Sequence, residues 1–168
     1  DILFQKNDVS TCNIPFKVLG NNNTTIRNNH IHTMTSSGIS EGPNNKNKVV
    51  EYNHMHDSNW DIGSFEQDYL DGDPWVPREI NKNYHASAMS LRSGDGIIRG
   101  NIFHDGWDSS GIMTYNTNGV DSYSNLLIEN NLIYDVHTAI LRFYKAGTNI
   151  TVRNNTIVGF FREDASWG

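Results

Sequence analysis

Short apolar runs that carry an asparagine between them recur along this chain. The unit reads LIENNLI at residues 127–133 and ITVRNNTI at residues 150–157, and its second asparagine recurs after 24 residues. The key asparagines of the repeated unit are Asn29, Asn53, Asn101, Asn131 and Asn155. Units that recur at this period, each too short to bury its own apolar side, stack on one another. The pattern therefore predicts a stack of strand-rich repeats.

The intervals between the key asparagines are 24, 48, 30 and 24 residues, and no helical period lies between them. Short β-rich runs at such intervals favour a solenoid built of stacked strands over a solenoid built of helices. Each asparagine amide can bond the equivalent asparagine in the coils on either side, and backbone groups that the bend leaves unpaired. The pattern resembles the right-handed parallel β-helix of the pectate-lyase type, over residues 12–158. The predicted fold class is an all-β solenoid with an internal Asn ladder.

The whole chain, residues 1–168, is expected to be a section of a single parallel β-helix domain of about six coils. We interpret the 48-residue interval as one coil with a loop insertion at about residues 61–85. Prolines there discourage regular strands, and aromatic residues favour a packed functional loop over disorder. No capping element is evident at either end, so we expect the chain to be part of a longer β-helix.

A glycine that ends the third strand aligns three coils, at Gly20, Gly119 and Gly147. The first apolar residue lies six positions before each glycine, which gives a predicted inward column of Ile14, Met113 and Leu141. Because strand side chains alternate, Thr114 and Arg142 are then expected to face outward.

In folds of the pectate-lyase type the substrate cleft runs along the third strands, so the resemblance implies a polysaccharide cleft with the 61–85 loop as one wall. Arg92 and Arg142 would lie about 10 Å apart there, since parallel strands are spaced about 4.8 Å. The planar guanidinium of arginine can donate two parallel hydrogen bonds to the carboxylate of a uronic acid unit. The alternative is that both arginines are ordinary solvated side chains on an outer strand face. The other residues predicted to bind substrate are Trp107, Tyr144, Trp75, Asn116 and Lys145.

A β-eliminating lyase needs a base for the proton α to a uronate carboxylate, and a group that neutralises this carboxylate. The resemblance implies an arginine or lysine for the base or the carboxylate clamp, with Arg142, Arg92 and Lys145 as candidates. It also implies Ca²⁺ as a neutralising ion. Clustered hard oxygens for Ca²⁺ are offered by Asp68, Asp71 and Asp73, with a solvated acidic loop as the alternative.

A glycoside hydrolase would instead need two carboxyl groups across the scissile bond. Asp108 is the preferred acid because it follows Trp107, which offers a platform for a sugar ring. His85 is a further catalytic candidate because it does not recur from coil to coil. The pairs His56-Asp57 and His104-Asp105 do recur, which favours a stacked outer-strand role over general base work.

The net charge is −6, and residues 61–85 hold six acidic side chains against two arginine or lysine residues. A nucleic-acid partner is not expected, because phosphate binding requires a basic face. No run of about eighteen apolar residues occurs, so no transmembrane helix is expected. The resemblance implies a secreted, periplasmic or cell-surface location.

The leading hypothesis is a polysaccharide-degrading enzyme, most readily a lyase acting by β-elimination on a uronic-acid-containing polymer, or else a glycoside hydrolase. The alternative is a non-catalytic structural or carbohydrate-binding β-helix, as in surface adhesins and phage fibre or tailspike proteins. A concave site over Arg92 and Asp108 would favour the enzyme, and a flat outer face would favour the structural role.

Overall fold

The structure is a computed structural model, and its elements follow the strand-rich repeats of the sequence. It describes residues 1–34, 36–42, 45–58, 86–106, 109–114, 123–136, 139–143 and 147–159. Within these ranges the chain forms seventeen strands and no helix. The predicted insertion at 61–85 lies outside the described residues and stays a prediction.

The strands form three parallel sheets. Sheet 1 contains β1 (Ile2–Gln5), β4 (Thr24–Arg27), β7 (Lys48–Glu51), β10 (Gly96–Arg99), β13 (Tyr123–Glu129) and β16 (Gly147–Arg153). Sheet 2 contains β2 (Asp8–Cys12), β5 (His30–Met34), β8 (His54–Ser58), β11 (Ile102–Gly106), β14 (Leu132–Tyr134) and β17 (Thr156–Val158). Sheet 3 contains β3 (Phe16–Val18), β6 (Ser37–Glu41), β9 (Ala86–Leu91), β12 (Ser109–Thr114) and β15 (Leu141–Phe143).

The chain visits the three sheets in turn, so each strand pairs with the strand three places later. We call three successive strands, one from each sheet, a round. Every pairing is parallel, as it must be when equivalent strands of successive rounds lie side by side. The predicted all-β class is confirmed, and the arrangement is consistent with a parallel β-helix.

One apolar column runs along the inner side of each sheet. In sheet 1 it consists of Phe4, Ile26, Val50, Ile98, Ile128 and Val152. In sheet 2 it consists of Val9, Ile31, Met55, Phe103, Ile133 and Ile157. In sheet 3 it consists of Phe16, Ile39, Met89, Ile112 and Leu141. The columns meet in a single hydrophobic core, because each round is too thin to bury its apolar side chains alone. Val152 and Ile157, in the last described round, lie outside this core and are exposed.

The predicted stack of asparagines is confirmed. Asn29 donates from its backbone N and from Nδ2 to Oδ1 of Asn53, at 3.0 and 2.9 Å. The same pair of bonds joins Asn53 to Asn101, Asn101 to Asn131, and Asn131 to Asn155. In addition, each Nδ2 donates to a backbone carbonyl of the preceding round; for Asn101 this is the Val50 carbonyl, at 3.0 Å. The amide thus satisfies buried polar groups at a bend, which is what the repeat predicts.

Asn7 is a further member of the ladder that the sequence reasoning missed. Its backbone N and Nδ2 donate to Oδ1 of Asn29, at 3.0 and 2.8 Å. The bonds between Asn53 and Asn101 also show that the 48-residue interval separates direct neighbours in the ladder.

The residue before each ladder asparagine has a left-handed backbone, with φ near +55°. In one round this residue is a glycine, Gly100, with φ +62°. A side chain at Gly100 would also meet the ring of Tyr52.

The predicted inward column of sheet 3 is wrong by one residue in β12. Leu141 lies beside Ile112, whereas Met113 lies beside Arg142 on the outward side. Thr114, predicted to face outward, is fully buried. The glycine marks the register poorly because its distance from the end of the strand varies. Gly147 lies four residues after the end of β15, whereas Gly119 lies five residues after the end of β12. A slip of one residue exchanges the two faces of a strand.

Candidate functional site

The outward column of sheet 3 lies on the face where the resemblance to the pectate-lyase type implies a substrate cleft. It consists of Lys17, Ser40, Ser90, Met113 and Arg142. Lys17 is exposed and Arg142 is partly exposed, at the two ends of the column. The three residues between them are at most 7% exposed although they lie on the outward side of the sheet. The middle of this face is therefore sheltered from solvent.

Arg92 and Arg142 are the predicted site residues that the structure describes. Arg92 follows the end of β9, two residues after Ser90, and both arginines are partly exposed. Because β9, β12 and β15 are neighbours in sheet 3, the two arginine-bearing segments lie two strand spacings apart, or about 10 Å. In register, Arg142 aligns with Ser90, so Arg92 lies two residues further along the strand direction, and a shared role for the two arginines stays a prediction.

The remaining predicted site residues lie outside the described ranges, and their roles stay predictions. They are the catalytic candidates Asp108 and His85, the substrate-binding candidates Trp107, Tyr144, Trp75, Asn116 and Lys145, and the Ca²⁺ candidates Asp68, Asp71 and Asp73.

The outer face of sheet 1 carries a column in which charge alternates along most of its length. Its members are Gln5, Arg27, Glu51, Arg99, Glu129 and Arg153. Arg99 Nε donates to Glu51 Oε2 at 2.8 Å, and Arg153 Nε donates to Glu129 Oε2 at the same distance. These side chains bond to their neighbours in the stack, so this column has a structural role.

The outer face of sheet 2 carries a group of five imidazoles that we call the histidine cluster: His30, His32, His54, His56 and His104. His30 and His54 occupy one column, and His32, His56 and His104 the next. The second column is stacked almost face to face, with ring centroids 5.3 Å apart for His32 and His56 and 5.1 Å apart for His56 and His104. The prediction that His56 and His104 belong to a stacked outer column is confirmed.

Ring nitrogens of the cluster also approach each other between the two columns. His30 Nε2 lies 2.9 Å from His56 Nε2, and His54 Nε2 lies 2.8 Å from His104 Nε2. A single carboxylate oxygen, Asp8 Oδ1, lies 3.2 Å from His30 Nδ1 and 3.3 Å from His32 Nε2.

Two further carboxylates lie against the Nδ1 atoms of the second column. His56 Nδ1 lies 2.8 Å from Asp57 Oδ2, and His104 Nδ1 lies 2.7 Å from Asp105 Oδ2. The pKa of His54 is lowered by burial, and further by the positive charge that His56, His104 and His30 can carry.

No protein-family model, curated protein or solved structure gives a significant match to this chain. The assignment of a site therefore depends on the geometry of the chain itself. None of the described residues forms a helix long and apolar enough to cross a bilayer.

A buried ion pair lies between the end of β6 and the start of β7. Lys48 Nζ is 3.0 Å from Glu41 Oε2 and donates to the carbonyls of Ser93 and Gly94, both at 2.7 Å. Burial raises the pKa of Glu41, whereas the charge of Lys48 and hydrogen bonds from Lys48 and Ser93 act against this shift. Because the ammonium has a full set of acceptors, we assign this pair a structural role.

Sequence reasoning missed three members of the site on sheet 2: Asp8, His30 and His54. The signal was present in the alternation of His30-Ile31-His32 and His54-Met55-His56, which puts two imidazoles of each strand on one face. The recurrence of histidine at the His56 position is evident from the spacing, whereas the column of His30 and His54 beside it was not predicted.

Proposed function

We propose that this chain forms coils of a right-handed parallel β-helix of the pectate-lyase type, and that it binds an acidic polysaccharide along the outer side of sheet 3. The proposed reaction is β-elimination at a uronic acid unit, with hydrolysis as the other chemistry of the same face. A secreted, periplasmic or cell-surface location follows from such a substrate.

The observation that carries the proposal is the sheltered outward column of sheet 3. Ser40, Ser90 and Met113 are buried on the outward side of the sheet, while Lys17 and Arg142 reach the surface at its ends. Side chains this deeply buried cannot touch a polymer themselves, so the proposed contacts are made at the two ends of the column by Lys17 and Arg142, whose positive charges suit an acidic chain.

The two arginines suit a uronate ligand. A guanidinium stays protonated under all ordinary conditions and can donate two parallel hydrogen bonds to one carboxylate. With about 10 Å between their segments, Arg92 and Arg142 can address two carboxylates of one chain. In the proposed lyase reaction, one guanidinium neutralises the carboxylate and so stabilises the carbanion that forms when a basic side chain takes the α-proton. The electron pair of that C–H bond then forms a double bond to the β-carbon as the glycosidic C–O bond breaks, and the departing sugar oxygen takes up a proton.

A non-catalytic β-helix is the second candidate, and the recurring outer columns favour it. The outward side chains of sheet 1 bond to their equivalents in the next round, and those of sheet 2 stack on theirs, which gives a regular array. A sugar-binding fibre needs this regularity and no acid or base.

The test is a panel of uronate and neutral polysaccharides incubated with the chain. Ultraviolet absorbance of unsaturated ends reports elimination, and reducing sugar without that absorbance reports hydrolysis. Unsaturated ends from a uronate polymer are the expected result. Binding without either product would assign the non-catalytic role, and absence of binding to every polymer would overturn the proposal.

Arg142→Gln tests whether sheet 3 is the face concerned, and Arg153→Gln is its matched control. Arg153 is an exposed guanidinium of sheet 1 that bonds to Glu129. We expect Arg142→Gln to reduce product formation and Arg153→Gln to leave it unchanged. Equal loss in both variants would indicate a general charge effect and would count against a site on sheet 3.

A further inference from the structure

Neutral imidazoles cannot satisfy every close contact that the ring nitrogens of His30 and His56 make in the histidine cluster. A neutral imidazole has one N–H and one lone pair. If His30 and His56 donate their Nδ1–H groups to Asp8 and Asp57, both Nε2 atoms present lone pairs to each other at 2.9 Å. If His30 instead carries its proton on Nε2, its Nδ1 lone pair faces the Asp8 carboxylate at 3.2 Å.

A metal cation between the two Nε2 atoms removes this conflict, as does a proton added to one of the two rings, and the ligand geometry distinguishes the metal. His54 supplies a third nitrogen, since one ligand atom from each of His30, His54 and His56 lies within 4.8 Å of the others. Two nitrogens bound tetrahedrally to Zn²⁺ at about 2.05 Å lie about 3.3 Å apart. The observed 2.9 Å between His30 and His56 requires only a small side-chain adjustment to reach that value.

We propose that the histidine cluster binds one divalent transition-metal ion, with His30, His54 and His56 as its ligands. Imidazole nitrogen is a borderline donor that suits Zn²⁺, Cu²⁺ and Ni²⁺, whereas Ca²⁺ and Mg²⁺ require oxygen. His104 Nε2, 2.8 Å from His54 Nε2, places a fourth nitrogen beside this set. The site is independent of the function proposed for sheet 3.

The carboxylates around the cluster lie against the ring nitrogens that would not bind the metal ion. Ligating histidines usually donate their other N–H to a carboxylate, which fixes the tautomer and the ring orientation. Asp8 lies against His30 Nδ1, and Asp57 lies against His56 Nδ1. Two of the three proposed ligands therefore have the orienting carboxylate that metal binding requires.

A second ligand set, Asp8, His30 and His32, shares one histidine with the first. Here the carboxylate would have to be a ligand, yet the Asp8 side chain is 72% exposed, whereas that of His56 is 20% exposed. A metal ion is held better where its ligands are fixed by packing, so we assign the ion to His30, His54 and His56. The variants below separate the two sets.

The experiment is titration of the metal-free chain, expressed without a polyhistidine tag, with Zn²⁺ by calorimetry and with Co²⁺ by visible absorption. We expect one ion per chain and, with Co²⁺, the absorption bands of a nitrogen-rich site. The thermal midpoint should rise with Zn²⁺, because the ion binds only the folded chain. Absence of saturable binding of either ion up to about 1 mM would overturn the proposal.

His54→Gln and His56→Gln each remove a ligand, and we expect each to weaken Zn²⁺ binding roughly 100-fold or more. Asp57→Asn weakens the contact that orients the His56 ring, and should weaken Zn²⁺ binding roughly 10-fold. His32→Gln is the matched control, since His32 stacks on His56 but is not a ligand, and it should change affinity less than about threefold. Thermal unfolding of the metal-free variants checks that each is folded. Loss of binding in His32→Gln with unchanged binding in His54→Gln would place the ion in the other set and contradict the assignment.

Discussion

The outer columns of sheet 1 and sheet 3 occupy equivalent places on two faces of the same stack, yet they are built differently. In sheet 1, charge alternates from round to round, and Arg99 and Arg153 each bond to a glutamate of the preceding round. In sheet 3 the column holds one lysine, two serines, one methionine and one arginine, without alternation. A column that repeats can satisfy its own polar groups by stacking. A column that does not repeat has to be explained by something other than the stack.

The same distinction extends to the interior, where an asparagine recurs in every round and the four middle members, Asn29, Asn53, Asn101 and Asn131, are buried. Effects on stability should therefore decrease from the inner ladder, through the buried ion pair, to the exposed columns.

Asn101→Ala should have the largest effect, a loss of roughly 4–6 kcal/mol in the free energy of unfolding. The change leaves the buried N–H of Asn53 and the carbonyl of Val50 without their partners. Denaturant unfolding measures the loss. Asn125→Ala is the control, because Asn125 belongs to an exposed row of side-chain bonds, and a similar loss there would contradict the special role of the inner ladder.

Lys48→Met should cost about 3–5 kcal/mol, because it leaves the Glu41 carboxylate buried without its counter-ion. Adding Glu41→Leu to Lys48→Met should restore much of that loss, since a hydrophobic pair often replaces a buried ion pair at little cost. The double-mutant cycle, followed by denaturant unfolding, measures the coupling. Additive losses would show that the two charges do not act as a pair.

Arg99→Ala should have the smallest effect of the three changes, because the Arg99 side chain is 41% exposed and its nearly buried partner Glu51 keeps Arg27 as a second cation at 4.0 Å. The loss should shrink further at high salt, where exposed charges are screened. Comparing the unfolding free energies of parent and variant at low and high salt tests this. A salt-independent loss as large as that of Lys48→Met would remove the distinction between inner and outer charges.

The sequence predicts the repeated parts of this molecule well, and the reason is physical. The ladder position accepts asparagine because one small amide must both donate and accept at every bend, so Asn29, Asn53 and Asn101 could be found from their spacing. Asn7 was missed because it lies 22 residues before Asn29, and an acidic residue, Asp8, follows it where the next round has His30.

Parts that do not repeat were harder to predict. The register of sheet 3 was misjudged because Thr114 is polar and buried, whereas Met113 is apolar and lies in the outward column. Hydrophobicity alone then points to the wrong face. The histidine cluster depends on contacts between columns, such as that between His30 and His56, which lie 26 residues apart in sequence. A comparison of equivalent positions cannot detect such a contact.

Paired measurement of stability and polysaccharide affinity for Arg142→Gln and Arg153→Gln tests the contrast between the two faces most directly. We predict that Arg142→Gln changes the unfolding free energy by no more than about 1 kcal/mol, as for a partly exposed side chain that interacts with a neighbour. It should weaken binding of a uronate polymer roughly tenfold, as expected for loss of one charge-assisted hydrogen bond. Arg153→Gln should leave that affinity unchanged. Equal affinities for the parent and Arg142→Gln, or equal losses in both variants, would contradict a binding role for the outer side of sheet 3.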